Sequence, residues 1–136
     1  LVWSWKGVED YDRAPFADVS HEGWMHVNAV SRLKNGNTLI ATGNGHSVLE
    51  VTPAKKIAWK LEQNDLPGIT LAWVTTLEVL PNGHYVIGNC HAGPGQPLLV
   101  EVDPETKEVV WTFDHFDTFG NSVPSSQILD SRGAKR

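Results

Sequence analysis

Apolar and polar residues alternate along this chain in short runs, each closed by Gly, Pro, Asn or Asp. Val27-Asn-Ala-Val-Ser-Arg-Leu33 and Val74-Thr-Thr-Leu-Glu-Val-Leu80 are two such runs. They are rich in β-branched residues, and a period of two puts successive side chains on opposite faces of a strand. The pattern predicts strands over 27–33, 38–42, 47–51 and 56–61, and a second set over 74–80, 85–89, 98–102 and 108–113. Asn35-Gly36 and Asn82-Gly83 bring the positive φ that a tight hairpin needs. Thr52-Pro53-Ala54 and Asp103-Pro104-Glu105-Thr106 read as the second turn of each set. No helical period stands out, and 65–68 and 114–120 read as connections.

The two sets are copies of one unit. The segment from His26 to Gly36 aligns with that from Trp73 to Gly83 at a spacing of 47. Val48-Leu-Glu-Val-Thr-Pro53 aligns with Leu99-Val-Glu-Val-Asp-Pro104 at 51, and Lys56-Ile-Ala-Trp59 with Glu108-Val-Val-Trp111 at 52. An insertion of four residues between the first two alignments accounts for the change from 47 to 51. Leu1-Val-Trp3-Ser-Trp5 resembles the last of these segments, and the stretch from Asn121 to Asp130 resembles the first. The order is the end of one unit, two full units, and the start of another.

Four short antiparallel strands repeated at about 40–50 residues have the form of a propeller blade. The expected fold is all-β: a partial β-propeller of two complete four-stranded antiparallel blades, with the end of a preceding blade and the start of a following one. Its expected parts are a blade-end strand (1–6), a linker (7–25), blades 26–63 and 73–113, a linker (114–120), the first strand of a further blade (121–130) and a tail (131–136). Each blade has two faces to bury, and Trp3, Trp59 and Trp111 recur where a large apolar wedge between blades is needed. A β-sandwich is the alternative, but sandwiches rarely repeat this closely in sequence. Two blades alone leave two apolar faces uncovered. The isolated chain is therefore expected to associate, as three chains closing a six-blade ring, or to be marginally stable.

Composition narrows the function classes. A chain of 136 residues suits one domain, burying roughly 70% of its unfolded surface. A net charge of −5, with scattered Lys and Arg, argues against a nucleic-acid surface. No apolar run reaches the roughly 20 residues of a membrane helix, so no membrane span is expected. No signal peptide is visible, and Leu1 in place of Met implies an upstream segment. The polar tail Ser131 to Arg136 reads as a chain terminus. The single cysteine, Cys90, excludes an internal disulfide and a multi-thiolate zinc site, and reads as a small buried apolar residue. Asp10, Asp12, Asp18 and Glu22 lack the spacing of a calcium loop, so no metal ligand is assigned.

The repeat also carries a family resemblance. Val-x-Glu-Val-x-Pro followed by Val-Val-Trp, preceded by Leu-Pro-Asn-Gly, resembles the blade pattern of bacterial quinoprotein-like propellers. Gly23-Trp24-Met25-His26-Val27-Asn28 resembles the Trp-x-His-x-Asn segment of arylsulfotransferase-like propellers. The resemblance implies a ring of six to eight blades, a periplasmic or secreted location, and pyrroloquinoline quinone as a cofactor of the quinoprotein branch. In the arylsulfotransferase branch it implies a histidine that accepts the sulfuryl group beside an arginine. His26 and Asn28 match that motif, whereas Gly43-Asn-Gly-His46-Ser lacks the arginine, and none occurs between Arg32 and Arg132.

In a propeller, the entry to the first strand and the loop between the second and third strands lie at one end of the central channel. That end would gather His26, His46 and His91 as candidate catalytic histidines, since neutral imidazole serves as base or nucleophile. Trp24, Asn28, Trp73, Thr75, Asn89, Gln96 and Asn121 are the candidate binding residues beside them. His84 falls at the opposite end. Two functions follow. The first is a scaffold or recognition surface for a small molecule, a carbohydrate, a protein or the remaining blades. The second is part of an enzyme using the rim histidines for sulfuryl transfer or around a quinone. The missing arginine favours the first.

Overall fold

Eight strands form in chain order in the computed structural model, which describes residues 2–7 and 25–129. They are β1 (Val27–Arg32), β2 (Thr38–Thr42), β3 (Ser47–Val51), β4 (Ile57–Leu61), β5 (Trp73–Val79), β6 (Tyr85–Cys90), β7 (Leu99–Val102) and β8 (Val109–Phe113). Strands β1 to β4 pair in sequence order as one antiparallel sheet, and β5 to β8 as a second. Boundaries fall within a residue of those the alternation predicts. The link after β8 differs: Phe116–Phe119 form one turn of helix, α1, too short for any periodicity to mark. Residues 121–129 carry no strand pairing. Trp24, and the acidic residues between Asp10 and Glu22, lie outside the described residues.

The turns explain the register. Leu33 and Leu80 each receive a bond from a glycine and donate one past it: Gly36 N to Leu33 O (3.0 Å) and Leu33 N to Asn37 O (2.9 Å), then Gly83 N to Leu80 O (2.9 Å) and Leu80 N to His84 O (2.8 Å). Gly36 and Gly83, at φ of 87° and 92°, occupy the left-handed position of this three-residue loop. Lys55 and Lys107 take the corresponding role in the second turn of each blade, at φ of 65° and 59°. Each inner strand also carries an extra residue near its start, seen as register shifts between Val27 and Ala29 and between Val74 and Leu77. Such a bulge turns the side chain out of the ladder. Asn28 Nδ2 thereby reaches the Val74 carbonyl (2.7 Å), and Thr75 Oγ1 the Val123 carbonyl (2.5 Å). Blade 1 is thus fastened to blade 2, and blade 2 to the segment 121–129, by the same device.

Alternation sorts the buried residues into layers. Leu39, Ala41, Val48 and Leu61 face blade 2, meeting Val74, Tyr85, Ile87, Val100 and Val102 in the central core. Ile40, Leu49 and Val51, on the other face of blade 1, pack with Met25, Trp3 and Trp5. Leu80, Val86 and Leu99, on the far face of blade 2, pack with Phe113, Val123 and Ile128. The N-terminal tryptophan segment and the stretch 121–129 therefore sit where flanking blades would.

The recurrent tryptophans repeat one contact. Trp3 Nε1 donates to the Pro53 carbonyl (2.9 Å), and Trp59 Nε1 to that of Pro104 (2.8 Å). In both cases a tryptophan reaches the second turn of the unit that follows it. Trp59 also meets Tyr85 edge-on, at 5.4 Å between rings and 83°. Trp111 has no such neighbour among the described residues and is 42% exposed.

Candidate functional site

The entry to β1 and the loop after β2 lie at one end of blade 1, because β1 and β2 are antiparallel and joined at the other. The same holds for β5 and β6. His26, His46, Trp73 and His91 are therefore at one end of the described structure, and His84 is at the opposite end.

Trp73 is the hub. The His26 ring lies 4.7 Å from its indole, tilted by 56°, and the His91 ring lies 6.2 Å away, nearly edge-on at 69°. Gly43 forms the floor: a Cβ there would stand 2.9 Å from Trp73 Cε2 and 2.8 Å from Asn28 Nδ2. His46 approaches through the backbone, with Nδ1 donating to the carbonyl of Ala72 (2.6 Å). That bond places the proton of the neutral ring on Nδ1 and leaves Nε2 with a free lone pair. His26 and His91 are exposed and His46 is half-buried.

Backbone strain collects here. Five non-glycine residues among those described have positive φ, and three of them are His26 (47°), His46 (46°) and His91 (63°). Each such residue costs of order 1–3 kcal/mol and persists only where its surroundings hold it.

The amide and hydroxyl side chains nearby do the holding. Asn89 is wholly buried; its Oδ1 accepts from Ala72 N (2.8 Å), and its Nδ2 donates to Thr70 O and Pro97 O (both 3.1 Å). Gln96 Oε1 accepts from Thr70 N (2.8 Å), tying the inserted loop to the link between blades. Asn121 accepts from His91 N through its carbonyl and from Gly93 N through Oδ1, both at 2.8 Å. With Asn28 bonded to blade 2 and Thr75 to the segment 121–129, these five side chains position the loops that carry the rings. Only the hydrogen-bond partners, not the residue types, separate a positioning amide from a ligand-facing one, which is why the sequence groups them together.

Cys90 is buried, with Sγ 2.8 Å from His91 Nδ1, 3.6 Å from Asn121 O and 3.7 Å from Ser122 Oγ. Its sulfur meets the Nδ1 edge of the His91 ring. Among the described residues no cluster of three or more His, Cys, Asp or Glu side chains converges on a metal position, and no helix is long and apolar enough to cross a membrane. Arg32 lies at the far end, with Nη1 donating to Gly36 O (2.6 Å).

Two packed four-stranded blades, with strained histidines around a tryptophan at one end, define a partial β-propeller. The solved structures bear on this directly. A crystal structure of a protein of unknown function from Bacteroides caccae superposes with a TM-score of 0.61 at 30% identity, covering 71% of this chain and 37% of that one. The WD40 β-propeller domain of Doa1 superposes at 0.54 with 15% identity, covering 73% of this chain and 29% of that one. The chain thus spans about a third of the length of the structures it matches, and the likeness to the second is one of fold alone. Neither a protein-family model nor a curated protein matches the chain.

Proposed function

We propose that this chain is a propeller segment whose rim binds a ligand at Trp73, flanked by His26 and His91. The observation that carries this reading is the convergence of rings from both blades on one indole, held by strained backbone. An indole beside two exposed imidazoles offers a stacking surface with hydrogen-bonding edges, suited to a carbohydrate or a planar polar small molecule. Strain of this kind clusters at binding sites, which supports the reading.

Saturation-transfer NMR against a panel of saccharides and planar heterocycles tests it. Hits should perturb the Trp73 indole and be lost in Trp73→Ala. Hits that persist unchanged in that variant would place binding elsewhere and defeat the proposal.

The run Met25-His26-Val27-Asn28 favours a second reading, in which His26 accepts a sulfuryl group in an arylsulfotransferase-like propeller. A mass gain of one sulfuryl group on His26 or His46 after incubation with an aryl sulfate would support it. An unmodified chain would remove it.

A further inference from the structure

We infer that the cleft between Trp111 and Glu101 is a seat for a tyrosine from a further blade, whose phenol would donate to Glu101 and lie edge-on to Trp111. The inference goes beyond the rim and concerns the opposite end of the far face of blade 2. It rests on comparing two equivalent places.

In blade 1, Glu50 and Trp59 are direct cross-strand partners, with a register shift just after Glu50. In blade 2, Glu101 and Trp111 are direct partners, with the same shift just after Glu101. Asn37 Nδ2 donates to Glu50, and at the matching position His84 Nδ1 meets Glu101 Oε1 at 3.0 Å. The two sites therefore share the Glu–Trp pair and one flanking partner, while a second donor, Asn35 Nδ2 to Glu50 (3.0 Å), is seen in blade 1 alone among the described residues.

They differ in occupancy. In blade 1 the seat is filled by Tyr85 of the next blade, whose ring meets Trp59 edge-on at 5.4 Å and whose phenol has its pKa raised by burial and by the nearby Glu50 carboxylate. In blade 2 the same place is a cleft of about 760 Å³, lined by His84, Glu101, Val110, Trp111, Ile128 and Leu129 among others. Glu101 is 6% exposed, and its Oε1 is the oxygen that meets His84 Nδ1. A mostly buried carboxylate facing an apolar wall calls for a donor, and a phenol supplies both the proton and the ring.

A second copy of this chain fits poorly as the occupant. The face it would present is the outer face of blade 1, already packed with Met25, Trp3 and Trp5, where Thr38 opens β2 as Tyr85 opens β6 and carries no ring. Its Pro53 carbonyl, the counterpart of the acceptor that Trp111 would need, already receives the indole of Trp3.

The test titrates the full chain with p-cresol, and separately with toluene, while following the Trp111 indole N–H by ¹⁵N NMR. The expected result is a saturable shift at Trp111, with p-cresol binding about tenfold more tightly than toluene because a charged acceptor strengthens the hydrogen bond. Glu101→Leu should bring the two to the same affinity. If that variant does not fold, Glu101→Gln should weaken p-cresol several-fold and leave toluene unchanged. No shift at Trp111, equal affinities in the unmodified chain, or indifference to both substitutions overturns the inference. So does a Trp111 shift that depends on protein concentration alone, since that assigns the cleft to a second copy.

Discussion

The indole of Trp59 donates to the carbonyl of Pro104, 45 residues further on and in the other blade. Because Trp3 does the same to Pro53, the bond belongs to the repeat rather than to one location. Trp59→Phe keeps most of the ring area and loses only the donor, so a cost of about 1 kcal/mol is expected from the urea midpoint. Trp59→Ala also empties the wedge between the blades and should cost about 3–5 kcal/mol.

Tyr85 links the blades through a titratable group. Burial first, then the charge of Glu50, then the hydrogen bond to it, push the phenol up from 10.0 to about 12. The unfolded chain then ionises Tyr85 first as the solution becomes alkaline. Stability should be intact below pH 10, fall between pH 10 and 12, and level off above that window. Allowing for partial solvent access, the loss should be about 1–2 kcal/mol. Urea midpoints from pH 9 upward should show this slope in the unmodified chain and a shallower one in Tyr85→Phe.

Asp65 works in the opposite pH range and counts for less. Burial raises its pKa, but the hydrogen bond from Lys107, the backbone bond from Glu62 and the charges of Lys107 and Lys60 together bring it below 3.8. This contribution is complete above the unfolded value and is lost as pH falls below it. The pair is largely solvated, so Asp65→Asn should cost less than about 1 kcal/mol at pH 7 and reduce the acid sensitivity of the melting temperature.

Gly43 is the floor under Trp73. A methyl group there meets the indole and the Asn28 amide inside ordinary contact distance. Gly43→Ala should cost about 1–3 kcal/mol and move the indole away from His26, visible as a changed Trp73 indole chemical shift.

Asn89 uses three of its hydrogen-bonding positions on the loops that carry the rim. Asn89→Ala leaves buried backbone groups without partners and should cost about 2–3 kcal/mol. Hydrogen exchange at Ala72 should accelerate in the same variant.

The blades were legible because their signals are local. Alternation, the two Asn-Gly turns and the spaced tryptophans each reside in a few neighbouring residues, and each recurs. Antiparallel pairing orients the ends of each blade, and the side-by-side stacking expected of a propeller aligns those ends, which is why His26, His46 and His91 could be assigned to one end. What the residues could not convey was which polar groups face outward. Asn89 and Gln96 have the chemistry of ligand contacts, yet tertiary packing turns them onto backbone groups. The hub role of Trp73 was also hidden, since it depends on Gly43 in the other blade leaving room for the indole. The single turn Phe116–Phe119 is held by bonds around His115 and Phe116 and leaves no pattern in four residues.

Trp73 belongs to blade 2, while the glycine beneath it and one of its flanking imidazoles belong to blade 1. A molecule gripping that indole would straddle the seam, so whatever affinity it has for the closed seam is added to the work of parting the two sheets. Occupancy at the mouth should accordingly slow the opening of the distant Trp59–Pro104 junction, making adhesion between repeats a readout of saturation.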